Sequence, residues 1–266
     1  MRRISDSVKV DIAIEPKGVT SSGTTSPYFK LDNYSRALFV WSVTPENAST
    51  SVTLTSTGTL YQAKDASAAT SAAAITSGTA IVSAATKAVY ATITPLTSVA
   101  TATLSITAYD INGDAKTALA FYTSTAGTAV STADRQFAIG DTASGTAAIS
   151  TAATNLAALL NNTTYGVPGL YASASSTAVT VRAIEPGENV FTITSSNTTT
   201  LSVTIGQAMG MLEINASALT LSSDFTHVAI NVVNDVSAIT SAFILRAGRR
   251  AVAPVQRVGA LTTVGE

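Results

Sequence analysis

One histidine, no cysteine and 16 acidic side chains bound the chemistry open to this chain of 266 residues. Without cysteine there is no thiolate nucleophile, no disulfide and no thiolate metal ligand. His227 stands alone, so sites that need two or more histidines are excluded. Its apolar neighbours in His227-Val-Ala-Ile230 make it an ordinary strand residue. Serine is abundant, yet no Gly-x-Ser-x-Gly elbow presents one as a nucleophile. Asp110, Asn112 and Asp114 are spaced like the start of a calcium loop, but the twelfth position holds Phe121 where a bidentate glutamate belongs. That segment reads as a turn. Glu185 and Glu188 flank Pro-Gly and solvate a hairpin, and no phosphate-binding or dinucleotide fingerprint is present. The expectation is a protein that is not an enzyme, with no catalytic residue, cofactor or metal.

The one concentration of charge is Arg246, Arg249, Arg250 and Arg257 near the C-terminal end. Three readings remain open for it: a solvated end, a docking surface for an acidic patch on a neighbouring subunit, or a contact with nucleic acid. The net charge of −1, from 15 basic and 16 acidic residues, gives no global field for a polyanion. Tyr28 and Phe29, beside a polar loop, are aromatic enough for either core or contact. These six residues are the candidate subunit-contact set. Charged residues make up only 12% of the chain against 46% hydrophobic, about half the usual charged share. A surface so poor in charge is easier to understand if partners cover much of it, although Thr and Ser also suit exposed β faces. No apolar leader region follows Arg2 and Arg3, and the run Leu38–Trp41 is far too short to span a bilayer. A cytoplasmic origin and no membrane are expected.

The elements that must position these residues are mainly strands. Val8–Glu15 alternates with period two, placing Val8, Val10, Ile12 and Ile14 on one half-buried face, with Pro16 and Gly18 ending it. Arg36–Val43 carries Leu38-Phe-Val-Trp41 without interruption, the composition of a strand covered on both faces. Strands follow at Val52–Ala63, Val89–Ile93 and Val99–Tyr109, the last with Ala102, Leu104, Ile106 and Ala108 on one side. Residues 66–85 are Ala/Ser/Thr-rich and carry no period. Asn112-Gly113 marks a turn. Short strands are expected at Phe121–Ser124 and Gln136–Ile139. The single helix is predicted over Thr151–Asn161, capped by Ser150 or a neighbour, with Ala152, Leu156, Leu159 and Leu160 at helical spacing. Beyond it, Leu170–Ser173, Ala178–Ile184, a strand begun by Phe191 and Ile193, Leu201–Ile205, Leu212–Ile214, His227–Val233 and Ala242–Leu245 read as strands. The tail from Arg246 is expected to be extended. The predicted fold is mainly β. Residues 1–111 and 207–266 form a discontinuous β-sandwich or jelly-roll-like domain, and 112–206 an inserted α+β module with the one helix.

Two segments resemble structural proteins of tailed bacteriophages: Tyr34-Ser-Arg-Ala-Leu-Phe-Val-Trp-Ser-Val43 with Leu60-Tyr-Gln-Ala-Lys-Asp65, and Asp224-Phe-Thr-His-Val-Ala-Ile-Asn-Val-Val-Asn-Asp-Val-Ser-Ala-Ile-Thr-Ser-Ala242. The middle of the chain is similar to a small module of virion and tail proteins through Gln136-Phe-Ala-Ile-Gly-Asp141, the Ala-rich helix and Val179-Thr-Val-Arg-Ala-Ile-Glu-Pro-Gly-Glu-Asn189. The simple family form lacks that middle module. The resemblance implies a virion protein of the capsid decoration or minor capsid type, made in the host bacterial cytoplasm. Its implied partners are the major capsid protein, other virion subunits and further copies of itself. A tail tube or fibre-base subunit, and a carbohydrate-binding adhesive module, are the alternatives.

Overall fold

Residues 8–31, 34–46, 54–67, 72–77, 80–81, 83–95, 102–110, 114–115, 120–125, 131–138, 146–185, 189–219 and 224–249 are described by a computed structural model. The first half of the chain forms β1 (Val8–Val19), β2 (Thr24–Thr25), β3 (Phe29–Lys30), β4 (Tyr34–Pro45), β5 (Ser56–Ala63), β6 (Ala73–Ala74), β7 (Thr76–Ser77), β8 (Ala80–Ile81), β9 (Ser83–Ala85), β10 (Lys87–Pro95), β11 (Thr103–Asp110) and β12 (Ala120–Thr125). After β13 (Gln136–Ala138) comes the helix α1 (Thr146–Leu160). Then follow β14 (Leu170–Ala174), β15 (Val179–Ala183), β16 (Asn189–Ser195), β17 (Leu201–Asn215), β18 (His227–Asn234) and β19 (Ala238–Arg249). The fold is mainly β and sandwich-like, with one α-helix among the described residues.

The larger sheet runs β1-β19-β4-β17-β10-β16-β11-β12-β13, with β14 and β15 branching from β10. The branch point follows from register. On one edge β10 pairs with β17 along its length. On the other it meets β16 at Ala88–Phe191, then β15 over Tyr90–Ile93. The smaller sheet centres on β18, between β5 on one side and β2 and β3 on the other. Val228, Ile230 and Val232 of β18 are fully buried and face the larger sheet's Phe39, Trp41 and Val43 in one continuous core.

Trp41 sets how closely the two sheets approach. Its row across the larger sheet reads Ile14, Ala242, Trp41, Gly210, so small residues flank the indole on both sides. A Cβ on Gly210 would overlap the ring, and one on Gly58 of the facing sheet would lie 2.8 Å from Trp41 Cη2. Only glycine fits at either position. The ends of the sandwich are tied by polar groups. Buried Asn234 donates from Nδ2 to Val19 O at 3.0 Å and to Thr240 Oγ1 at 2.9 Å, joining the smaller sheet to β1 and β19.

Several boundaries differ from those expected. β1 does not stop at Pro16 and Gly18: it runs to Val19 because register shifts between Ile12 and Ile14 and between Ile14 and Lys17 absorb them. The segments around 201–205 and 212–214 are one strand, β17. Its glycines are sites of close approach and not breaks, Gly206 lying under the Tyr90 ring and Gly210 against Trp41. The seam expected at 206–207 therefore lies inside β17, and residues 112–206 are hydrogen-bonded into the larger sheet through β15–β10 and β16–β11. α1 begins at Thr146, upstream of the expected start, which leaves Ser150 inside it accepting a hydrogen bond from Thr154 Oγ1 at 3.0 Å. Residues 66–85 hold the four short strands β6 to β9, and the last strand is longer than expected, Ala238–Arg249. The tail beyond Arg249 and the central residues of the Asn112-Gly113 turn lie outside the described residues. Across that turn, Asp110 N–H donates to Asp114 O at 2.9 Å.

Below its C-terminus, α1 is tied to a strand by one side chain. Asn161 donates from Nδ2 to Ala172 O at 2.7 Å and accepts from Ala172 N–H at 2.9 Å, the pattern of a neighbouring strand. Three outcomes are expected from denaturant unfolding. Gly58→Ala and Gly210→Ala each cost about 1–3 kcal/mol by overpacking, and Trp41→Ala costs about 3–5 kcal/mol. Asn161→Ala costs about 1–3 kcal/mol, because it strands both backbone groups of Ala172.

Candidate interaction surface

The residues expected to make subunit contacts fall in three different settings. Arg246 is buried between the sheets: it forms an ion pair with Asp11, donates from Nη1 to Lys30 O at 2.9 Å, and lies 5.1 Å from the Tyr34 ring and 5.5 Å from the Phe29 ring. Phe29 is half-buried, packed edge-on to Phe39 at 6.5 Å. Tyr28 is also half-buried, and burial raises its hydroxyl above the ordinary tyrosine value, with Tyr61 nearby adding to the shift. Arg249 extends β19 by pairing with Tyr34. Arg250 and Arg257 lie outside the described residues. Arg246, Tyr28 and Phe29 thus belong to one end of the sandwich.

The charge on Arg246 explains an inversion in β1. Lys9 and Asp11 point inward, with Lys9 Nζ 3.5 Å from Asp11 Oδ1, so Asp11 reaches the guanidinium. Alternation then turns Val10 and Ile12 outward, 50% and 56% exposed. The register shift after Ile12 reverses the faces, and Ala13 and Ile14 are buried. The reading of Val8, Val10, Ile12 and Ile14 as one half-buried face is therefore corrected: the bulge divides them.

Directly opposed residues of antiparallel strands share a face, so the rows across β1, β19, β4 and β17 can be read from register. One row is Val10, Leu245, Leu38 and Glu213, and the next is Ile12, Phe243, Val40 and Met211. Phe243 is 45% exposed, and Ile239, further along β19, is 46% exposed. Leu38 and Val40 are half-buried, so β4 is covered fully on one face only, contrary to the expectation of cover on both. A shallow groove of about 260 Å³ lies at the end of this face, lined by Val8, Arg36, Leu38, Glu213, Leu245 and Ala247. Arg36 and Glu213 sit 3.5 Å apart across it, both more than half exposed.

Sequence reasoning did not single out Phe243 or Ile239 and placed Val10 and Ile12 together with Val8 and Ile14 on one half-buried face. The available signal was the pairing of a charged face on β1 with the lone arginine inside the apolar final strand. Among the described residues no three His, Asp or Glu side chains cluster as metal ligands, and His227, the first residue of β18, has its Nδ1 2.9 Å from Thr226 Oγ1. No described helix is long and apolar enough to cross a membrane. No protein-family model, curated protein or solved structure matches the chain.

Two measurements probe this region. Arg246→Met is expected to lose about 2–3 kcal/mol of unfolding free energy, because it leaves Asp11 without its main partner, whereas Arg36→Met, at an exposed pair, changes it by under about 0.5 kcal/mol. Raising the pH through the ordinary tyrosine range, near ~10, is expected to destabilise the fold, since the unfolded chain releases the Tyr28 proton first. In Tyr28→Phe that loss, followed by thermal unfolding against pH, is smaller.

Proposed function

We propose that this chain is a non-enzymatic structural subunit of a tailed-bacteriophage particle, one that decorates or cements the capsid through subunit contacts. The observation that carries the reading is the open apolar face of β1, β19 and β4 on a chain of which only 12% is charged. A large exposed apolar patch on a low-charge surface marks an interaction site. The likeness of Tyr34–Val43 and Asp224–Ala242 to phage structural proteins supplies the context. The major capsid protein, other virion subunits and further copies of the chain are its partners on this reading, and the virion is its location.

Mixing the purified protein with undecorated capsids and imaging them by cryo-electron microscopy tests the reading. Density at regular lattice positions on the shell is the expected result. Binding along tails only would replace decoration with a tail role, and binding to neither would overturn the virion reading.

A further inference from the structure

We infer that the outer face of β1, β19, β4 and β17 docks against the same face of a second copy of this chain. The inference rests on the reading of the chain as a subunit that acts by contact, and it names the partner of one surface.

Three observations lead to it. First, the chemistry of β4 is that of a strand covered on both sides, with Leu38 and Val40 alternating with Phe39 and Trp41, yet only the inner side is covered. Second, β1 turns the half-buried Asp11 inward and Val10 and Ile12 outward, against the usual alternation of apolar inside and polar outside. Third, the charges on the face are self-complementary. Its acid and base, Glu213 and Arg36, sit side by side on neighbouring strands. A two-fold axis lying in the interface and passing between them sets each arginine against the other copy's glutamate, the reciprocity that an isologous contact requires.

Area agrees with this occupant. Four strands ~4.8 Å apart and about nine residues at ~3.3 Å rise give a face of roughly 550 Å² per copy. A pair buries roughly 1,100 Å², just above the ~1,000 Å² that a specific interface needs and below that of permanent assemblies. The expected product is a reversible dimer, whose second role in a particle is to hold adjacent subunits together.

Sedimentation equilibrium of the full chain between about 1 and 100 μM tests this, a range that spans typical reversible association. A concentration-dependent monomer–dimer equilibrium is expected. Ile12→Lys and Phe243→Asp each weaken it by more than about tenfold, while Tyr171→Asp, which replaces a similarly exposed aromatic on β14, leaves it unchanged. Should Phe243→Asp fail to fold by circular dichroism, Val10→Lys serves in its place. A chain that is monomeric throughout, or a dimer indifferent to Ile12→Lys and Phe243→Asp, overturns the inference. A monomer that still decorates particles would sink this inference alone, and a dimer that attaches to no particle would sink the virion reading alone.

Discussion

Trp41 needs room that only glycine can give, and much of the architecture follows from that requirement. The indole stands at the middle of β4, opposite Gly210 and Ala242 in its own sheet and against Gly58 of the facing sheet. Because the interior is packed at near-crystalline density, any methyl group at those glycines would have to push the sheets apart. The spacing of the sandwich is thus set at one side chain, and Phe39, Val43, Ile230 and Val232 fill the same layer around it. Gly210 has a second consequence. Since it serves close approach rather than a turn, β17 continues straight through it and carries the chain from β10 across to β4.

The apolar layer ends in polar ties, and these decide which way the edge strand faces. Asn234 links β18 to β1 and β19 at one end, and Arg246 links β19 to β1 and to the backbone of β3 at the other. A buried guanidinium must be paired, so Asp11 is drawn inward, and the strict alternation of a strand then sends Val10 and Ile12 outward. The exposed apolar face is a consequence of that ion pair. The bulge beyond Ile12 returns the strand to the ordinary arrangement, with Ala13 and Ile14 buried. One electrostatic contact therefore couples the stability of the sandwich to the character of its outer surface.

The second half of the molecule extends the same sheet by different means. β10 gives one edge to β17 and divides the other between β15 and β16, so two branches leave a single strand. β14 and β15 lie under α1, while β16 carries β11, β12 and β13. Asn161 completes the arrangement by standing in for a strand beside Ala172. Helix and sheet are thereby joined by hydrogen bonds as well as by the buried faces of Leu156, Leu159 and Leu160.

The sequence by itself determined the class and most of the strands. Period-two runs such as Val228, Ile230 and Val232, and the alternation of Leu104, Ile106 and Ala108, depend on local geometry alone, and all six are buried. The helix was legible for the same reason, since Ala152, Leu156, Leu159 and Leu160 repeat at its period. What composition could not convey was anything set by a distant partner. Whether Gly206 and Gly210 break a strand or admit a ring depends on Tyr90 and Trp41, which lie more than a hundred residues away in sequence. Which face of β1 turns inward depends on Arg246 at the other end of the chain. Only the tertiary structure brings such residues together. A period-two pattern establishes that a strand has two unlike faces, and the partner charge decides which of them meets water.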